Sequence, residues 1–383
     1  MSLDQWCRAR LDPILADLST LVASESPSSA KPLLDSTADL IRAWLDDRLG
    51  PPDEWRRHVQ ADHGDVLTAT YRGTTEDQVL LIGHYDTVWP SGTLADMPFH
   101  VDGVKVTGPG VYDMKAGLVT GIWALRALRA LDLPCPTVTF LLNGDEELGS
   151  PVSRPYIEQA AADSLAALVL EPGVGWDVKT ERKGVGVFTL GAQGIEAHAG
   201  NDPEAGASAV HALARAVGHL VAAEDRAAGT TINVGTITGG TARNVIAGEA
   251  HGMVDIRVTT QTEADRVDQV LAGLSDPDLA APDPRVRMSV TGGWNRPPMR
   301  LTPSSKRLFD LANDVATDIR GPLTPISVGG GSDANFVAAL GVPVLDGLGA
   351  SGAGAHARHE HVLVADMTDR VALVAGILTR LAG

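Results

Sequence analysis

The sequence of 383 residues predicts an α/β protein whose main domain is interrupted by a smaller α+β domain. Uninterrupted apolar runs of strand length alternate with apolar patterns of helical spacing, which indicates a sheet buried on both faces. The pattern changes at about Gly184, and the first pattern returns after Arg296-Pro297-Pro298. We therefore expect one domain made of residues 1–184 and 297–383, and an inserted domain made of residues 185–296.

Hydrophobic periodicity places the individual elements. In the main domain the predicted helices cover residues 11–22, 33–48, 114–131 and 305–317, and the predicted strands cover residues 79–82, 138–142, 167–170 and 343–345. The second helix ends at Gly50-Pro51-Pro52, which is a helix-ending signal. In the inserted domain we expect a strand at 185–190, a helix at 205–221, and strands at 232–238 and 251–258.

Composition excludes several classes of protein. The formal net charge of -17 argues against nucleic acid as a partner, because a phosphate backbone requires a basic surface. Only Cys7 and Cys135 are present, which excludes a Cys-rich zinc site and makes a disulfide framework improbable. The N-terminus lacks a signal-peptide pattern, and the sequence has no run of eighteen apolar residues. We expect a cytoplasmic protein without membrane contact.

Three predicted strands end directly in side chains that bind metal ions. His84 follows the first strand, the pair Glu146-Glu147 follows the second, and Glu171 follows the third. Ligands bind beyond the carboxyl ends of parallel strands, so these side chains should line one crevice. One imidazole with several carboxylates and no thiolate suits zinc, manganese or cobalt in a hydrolytic site.

Two further features fit such a site, and each also has a structural explanation. Asp113 stands before the predicted helix at 114–131, where it can cap the helix or bridge two metal ions. The pair Glu146-Glu147 usually marks a solvated surface, but one member can bind metal while the other acts as general base. A lone His after a strand is also more often structural. Their joint occurrence at three strand ends favours the metal site.

The sequence resembles the M20 metallopeptidases from about residue 10 to the C-terminus. The segments that carry the resemblance are 83–88, 108–115, 143–150, 171–172, 329–334 and 356–360. The stretch from His84 through Pro98-Phe99 to Lys115 is especially similar to the glutamate carboxypeptidases. The resemblance implies a two-zinc phosphorylase/hydrolase-like α/β catalytic domain with an inserted α+β lid and dimerisation domain.

The resemblance also assigns roles to residues of the main domain. It implies that two zinc ions, with cobalt or manganese as alternatives, are held by His84, Asp113, Glu147, Glu171 and His356. Asp113 would bridge the ions, with Glu147 on one ion and His356 on the other. Glu146 would be the general base, and Asp86 would hydrogen-bond His84. It further implies a cis peptide bond between Asp113 and Met114.

The identity of the last ligand has two competitors. His359 and His361 lie close to His356 in the sequence. We prefer His356 because Glu360 then falls four residues later, as in the family pattern His-x-x-x-Glu.

In the inserted domain, three residues match substrate-binding positions of the family. His198 stands in a His-Ala pair preceded by Ala197, where the family usually has Ser. In dimeric relatives this His reaches the partner's site and stabilises the oxyanion, so we expect a homodimer. Asn244 and Arg257 match the residues that bind the substrate's free carboxylate. Without the other motifs, Arg257 would be better explained as an arginine on the surface of the sheet.

These assignments predict metal-assisted hydrolysis of an amide bond in a peptide or N-acyl amino acid. Glu146 would take a proton from the attacking water, and a C-terminal amino acid would be released, with glutamate as the leading candidate. The alternatives are an N-acyl-amino-acid amidohydrolase or a dipeptidase of the same fold, and a metal-free binding protein. Lys179 and Arg296 are candidates to bind a second carboxylate.

Overall fold

A computed structural model describes residues 1–274 and 283–383 in two compact units. The first contains residues 1–181, 301–328 and 332–383, and the second contains residues 182–300 and 329–331. The predicted inserted range includes residues 275–282, which lie outside the described residues. A mixed sheet in the first unit and an antiparallel sheet in the second confirm the predicted fold class. That the units act as catalytic domain and lid stays a prediction.

The strands are numbered in chain order. They are β1 Glu54–His58, β2 Val66–Tyr71, β3 Gln78–His84, β4 His100–Val101, β5 Lys105–Thr107, β6 Thr137–Asn143, β7 Ala166–Val169, β8 Val178–Arg182, β9 Gly184–Gln193, β10 Ala197–His198, β11 Thr231–Gly239, β12 Val245–Ile246, β13 Glu249–Val258, β14 Arg287–Arg296, β15 Pro325–Val328, β16 Val344–Leu345, β17 Gly352–Ala353 and β18 His361–Leu363.

The α-helices are numbered in the same way. They are α1 Leu3–Arg8, α2 Leu11–Ala23, α3 Lys31–Leu49, α4 Thr93–Asp96, α5 Ala116–Ala130, α6 Arg154–Ala162, α7 Ala209–Val221, α8 Gln261–Gly273, α9 Pro303–Ile319, α10 Ala334–Ala339 and α11 Val364–Leu381. None of these described helices combines the length and the apolar character that a bilayer crossing requires.

The sheet of the first unit has the strand order β1-β2-β6-β3-β7-β16. Strands β6, β3, β7 and β16 are parallel, and β2 adds antiparallel to β6. In the register His84 lies opposite Asn143, and Ile82 lies opposite Val169. The carboxyl ends of β3, β6 and β7 are therefore adjacent, as the sequence predicted.

Helix α5 packs unusually close to the sheet. Its residues are buried almost all round, because it belongs to the same core as the sheet and α11. Gly117 allows the approach, since a Cβ atom there would lie 1.9 Å from the carbonyl oxygen of Leu170. Leu170 directly precedes Glu171, so this contact helps to place the carboxylate at the end of β7.

The second unit is an antiparallel sheet of order β11-β13-β9-β14, with α7 and α8 packed on its apolar face. The predicted strands and helix of this region are present. Helix α7 begins only at Ala209, because Ser208 caps it by accepting a hydrogen bond from the backbone N–H of His211. Strand β14 was not predicted, because the pair Gly292-Gly293 is a sequence signal for a turn. A Cβ at Gly292 would lie 2.2 Å from the carbonyl oxygen of Val187 in β9.

Candidate metal centre

His84 ends β3 and points its Nε2 atom at two carboxylates. Its Nδ1 atom lies 3.0 Å from the backbone oxygen of Asp86. When the imidazole is neutral, donation to that carbonyl places the proton on Nδ1 and leaves the lone pair of Nε2 for a metal ion. Nε2 lies 3.2 Å from Oδ1 of Asp113 and 3.6 Å from Oε1 of Glu171. His84 is thus held in the tautomer that a metal ligand needs.

A second imidazole approaches the other side of Asp113. Nε2 of His356 lies 3.4 Å from Oδ2 of Asp113 and 3.1 Å from Oε2 of Glu147. The two oxygens of Asp113 therefore face different histidines, which is the arrangement expected of a bridging carboxylate. The cis peptide bond predicted between Asp113 and Met114 is present.

The imidazoles and carboxylates of this cluster shift one another's pKa values. Hydrogen bonds to Asp113 and Glu147 raise the pKa of His356 to about 10. Burial opposes the charged form of His84, but its carboxylate partners outweigh burial and raise its pKa. Burial likewise opposes the charged form of Asp113, but the two histidines hold its pKa well below the usual range. These shifts arise because carboxylates and imidazoles are packed close together, and such a donor cluster suits divalent cations.

The donor atoms fit such cations in position and in chemistry. Two groups of three residues each place one ligand atom per residue within 4.8 Å of the others. The first group is His84, Glu146 and Glu171, and the second is His84, Asp113 and Glu147. Burial raises the pKa of Glu147, and its Oε1 atom is buried without a hydrogen-bond partner among the described residues. An unsatisfied carboxylate oxygen in such a cluster is what a metal ligand leaves when the ion is removed. The residues fit one or two divalent ions.

Glu146 and Glu147 share an anchor that the sequence did not reveal. Oδ1 of Asp86 accepts the backbone N–H of Glu146, and Oδ2 accepts that of Glu147, each at 3.2 Å. Ser28 donates its hydroxyl to Oδ2 at 2.8 Å. Asp86 therefore touches both the segment of His84 and the Glu pair. No local pattern marks this contact, because it joins residues 60 positions apart.

Of the three candidate histidines near the C-terminus, the structure brings His356 to the carboxylates. His359 and His361 have no ion pair with Asp113 or Glu147 in the part of the chain that the structure describes. His356 adopts φ 60°, a left-handed conformation that is uncommon for a residue with a Cβ. This backbone strain is typical of functional positions.

His198 lies exposed in the second unit with its tautomer also fixed. Its Nδ1 atom accepts the backbone N–H groups of Gly200 at 3.1 Å and Asn201 at 3.0 Å. The ring proton must then sit on Nε2 when the imidazole is neutral. The backbone N–H of Ala199 donates to the carbonyl of Asn244 at 2.9 Å, which ties the two predicted substrate-binding segments together.

Arg257 already has a carboxylate partner. Its Nε and Nη2 atoms each donate to Asp255 at 2.8 Å, across one face of β13. Of the other two cations considered, Arg296 is buried in the second unit beside Gly331. Lys179 belongs to the first unit, where its backbone pairs with Asp346.

A cavity of about 780 Å³ in the second unit borders the segments of His198 and Asn244. Ala199, Arg243 and Val245 contribute to its wall, together with His211 at the start of α7. Its volume is in the range of small-molecule sites.

Comparison with known proteins decides the family. The sequence profile of Peptidase family M20/M25/M40 matches residues 80–380. The chain belongs to this family. It is therefore a metal-dependent metallopeptidase or amidohydrolase that acts on peptides or acyl-amino acids.

Relatives of this M20 enzyme have different named activities. Carboxypeptidase G2 of Pseudomonas sp. (strain RS-16) is 30% identical over 320 residues, covering 82% of this chain and 76% of the relative. A succinyl-diaminopimelate desuccinylase of Xanthomonas oryzae pv. oryzae is 29% identical, covering 91% of this chain and 98% of the relative.

Solved structures share the fold at lower identity. Aminopeptidase PepT of Bacillus cereus aligns with a TM-score of 0.78 at 20% identity, covering 97% of this chain and 99% of that one. The M20 family metallo-carboxypeptidase Sso-CP2 of Sulfolobus solfataricus aligns with a TM-score of 0.75 at 16% identity, covering 96% and 99%.

Proposed function

We propose that the protein is a two-zinc carboxypeptidase that releases a C-terminal amino acid, with glutamate as the leading candidate, from a peptide or N-acyl conjugate. The observation that carries the proposal is Asp113, whose two oxygens face His84 and His356 beside the Glu146-Glu147 pair. Similarity to a carboxypeptidase supports the reaction class.

The proposed ligand set divides between two ions. The resemblance implies that Glu147 and His356 belong to different ions, but their side chains lie 3.1 Å apart and His84 lies 3.6 Å from Glu171. We therefore propose that His84 and Glu171 would hold one ion, that His356 and Glu147 would hold the other, and that Asp113 would bridge them. When bound, the zinc ions supply Lewis-acid activation of water and of the scissile carbonyl group. Cobalt or manganese could support the same chemistry, because this donor set of imidazole and carboxylate suits all three metals.

Glu146 is the proposed proton carrier. Its carboxylate lies in the ligand cluster, and Asp86 fixes its backbone N–H. Glu146 accepts one proton from the attacking water as the water oxygen bonds to the carbonyl carbon. It returns that proton to the amine nitrogen as the C–N bond breaks. The products are a carboxylic acid and a free amino acid.

His198 is the proposed donor to the oxyanion. Because Nδ1 is occupied by two backbone N–H groups, Nε2–H is the available donor. We propose that His198 reaches the site of a partner in a homodimer. Exposed apolar side chains on the sheet of the second unit support an interface, since Ile237 of edge strand β11 is 56% exposed and Met253 of β13 is 57% exposed.

Arg257 and Asn244 are the proposed anchors for the substrate's terminal carboxylate. Asp255 occupies Nε and one Nη2 hydrogen of Arg257, which leaves the Nη1 hydrogens as donors. In this proposal Asp255 orients the guanidinium group and the substrate carboxylate completes its charge pairing. The cavity beside Asn244 would receive part of the substrate.

A second candidate function is hydrolysis of an N-acyl amino acid with a different leaving group. It is favoured by the similarity to the desuccinylase, which covers more of both chains than the carboxypeptidase does. The two candidates differ in which side of the amide bond the enzyme recognises.

The test is the zinc-loaded wild-type enzyme with matched acyl-glutamate, acyl-alanine and acyl-leucine substrates, and with succinyl-amino acids. We expect the highest kcat/KM for acyl-glutamate. A preference for apolar leaving groups, or for the succinyl group whatever the leaving amine, would move the assignment to the second candidate.

A further inference from the structure

Glu360 is a buried carboxylate outside the proposed ligand set, and it contacts the backbone around Asp113. Its side chain has no solvent exposure. Oε1 accepts the backbone N–H of Tyr112 at 2.8 Å and that of Asp113 at 3.0 Å. Oε2 accepts the backbone N–H of Gly110 at 3.0 Å. One carboxylate thus holds three peptide groups of the turn that carries the bridging residue.

The same carboxylate also contacts the segment after His84. Nε1 of Trp89 donates to Oε2 of Glu360 at 2.7 Å. Strand β18, which follows Glu360, pairs with β5, which leads into the turn, so that His361 lies opposite Thr107. Glu360 therefore joins the segments of His84, Asp113 and His356 through one side chain.

Its partners are all N–H donors. In the part of the chain that the structure describes, no Lys, Arg or His side chain lies within ion-pair distance of Glu360. A buried carboxylate costs free energy unless donors or cations compensate it. Four N–H groups bind the two oxygens of Glu360 and oppose that cost, so its side chain is held in one position beside Asp113.

We propose that Glu360 is a positioning residue that sets the geometry and the cation affinity of the metal centre by fixing the backbone of Asp113. Partners that orient ligands act in this way at metal sites, and removing one typically lowers metal affinity tenfold to a hundredfold. The inference rests on the proposed ligand set, in which Asp113 binds both ions. Its readout is metal affinity, which requires no substrate.

The first variant is Glu360→Gln, measured by competition of the protein with a zinc chelator. Glutamine keeps the size but has one acceptor oxygen, and its amide N–H groups would face N–H donors. We expect zinc affinity to fall about tenfold to a hundredfold. The matched control is Asp17→Asn, because Asp17 is also a buried carboxylate that accepts an indole N–H, from Trp123 at 2.8 Å. This control should lose stability and keep zinc affinity.

Unchanged zinc affinity in Glu360→Gln, with only the loss of stability seen in the control, would overturn the inference. If that variant does not fold, Trp89→Phe removes one donor and keeps a ring in place. Zinc affinity should then fall by a smaller factor, and no change would also overturn the inference. A wild-type protein that binds no zinc would contradict the proposed function itself.

Discussion

At the scale of single residues, the site depends on carboxylates that orient other groups. Asp86 holds the backbone of the Glu pair, and Asp255 holds the guanidinium of Arg257. The candidate ligands were predictable because strand ends and family motifs are local in sequence. The contact of Asp86 with Glu146 was not predictable, because it depends on the adjacency of β3 and β6 in three dimensions.

Arg257→Ala tests the proposed carboxylate anchor. The lost charge-assisted hydrogen bonds are worth about 1.5–3 kcal/mol, so kcat/KM should fall about tenfold to a hundredfold for substrates with a free terminal carboxylate. The corresponding amides cannot form the ion pair and should lose little. Arg287→Ala, at an exposed position of β14, is the control. Equal losses on acids and amides would mean that Arg257 only supports the sheet.

At the scale of elements, prediction succeeded where burial is continuous. Strands β3, β6 and β7 are nearly all buried, and uninterrupted apolar runs marked them. Strand β1, with the sequence EWRRH, is an edge strand that has no buried residue, so its sequence lacked the apolar signal. The helix expected from residue 114 begins as α5 at Ala116, because Asp113 and Met114 have non-helical backbone angles.

Gly117→Ala tests the close packing of α5 below Glu171. The added methyl group would lie 1.9 Å from the Leu170 carbonyl oxygen, so α5 must move away from the sheet. Overpacking of this kind costs about 1–3 kcal/mol in the free energy of unfolding. Gly218→Ala in α7 is the matched control, since a Cβ there meets nothing within 4 Å. It should stabilise the protein by about 0.5–1 kcal/mol.

Urea unfolding of the metal-free proteins measures the free energy of unfolding of Gly117→Ala, of Gly218→Ala and of the wild type. If Gly117→Ala is as stable as the wild type, or is stabilised like Gly218→Ala, then α5 does not pack against Leu170 as closely as described.

At the scale of the whole molecule, the proposed function involves two copies of the chain. The second unit carries the proposed oxyanion donor His198, and it exposes Ile237 on edge strand β11 and Met253 on the neighbouring strand β13. The fold of the second unit exposes these residues. We propose that a second copy of the chain contacts them in a dimer.

Ile237→Lys tests this association. A charge on edge strand β11 should prevent a second copy from pairing there, so light scattering should report a monomer where the wild type is a dimer. Turnover should fall with the dimer, because His198 is proposed to act in the partner's site, while zinc binding by the first unit should persist. Val59→Lys, at an exposed apolar position of the first unit, is the control. A fully active monomeric variant would show that His198 is not needed in trans.

We propose that Glu146 is the general base and that Glu147 is a zinc ligand. A comparison of the zinc content of Glu146→Gln with that of Glu147→Gln tests this assignment. Both carboxylates lie within reach of His84, so geometry alone allows either to bind an ion. We expect Glu146→Gln to keep two zinc ions per chain and to have no turnover, because glutamine cannot accept the proton of the water. Glu147→Gln should lose zinc. Loss of a stoichiometric zinc from Glu146→Gln, with both ions retained in Glu147→Gln, would contradict the account and exchange the two roles.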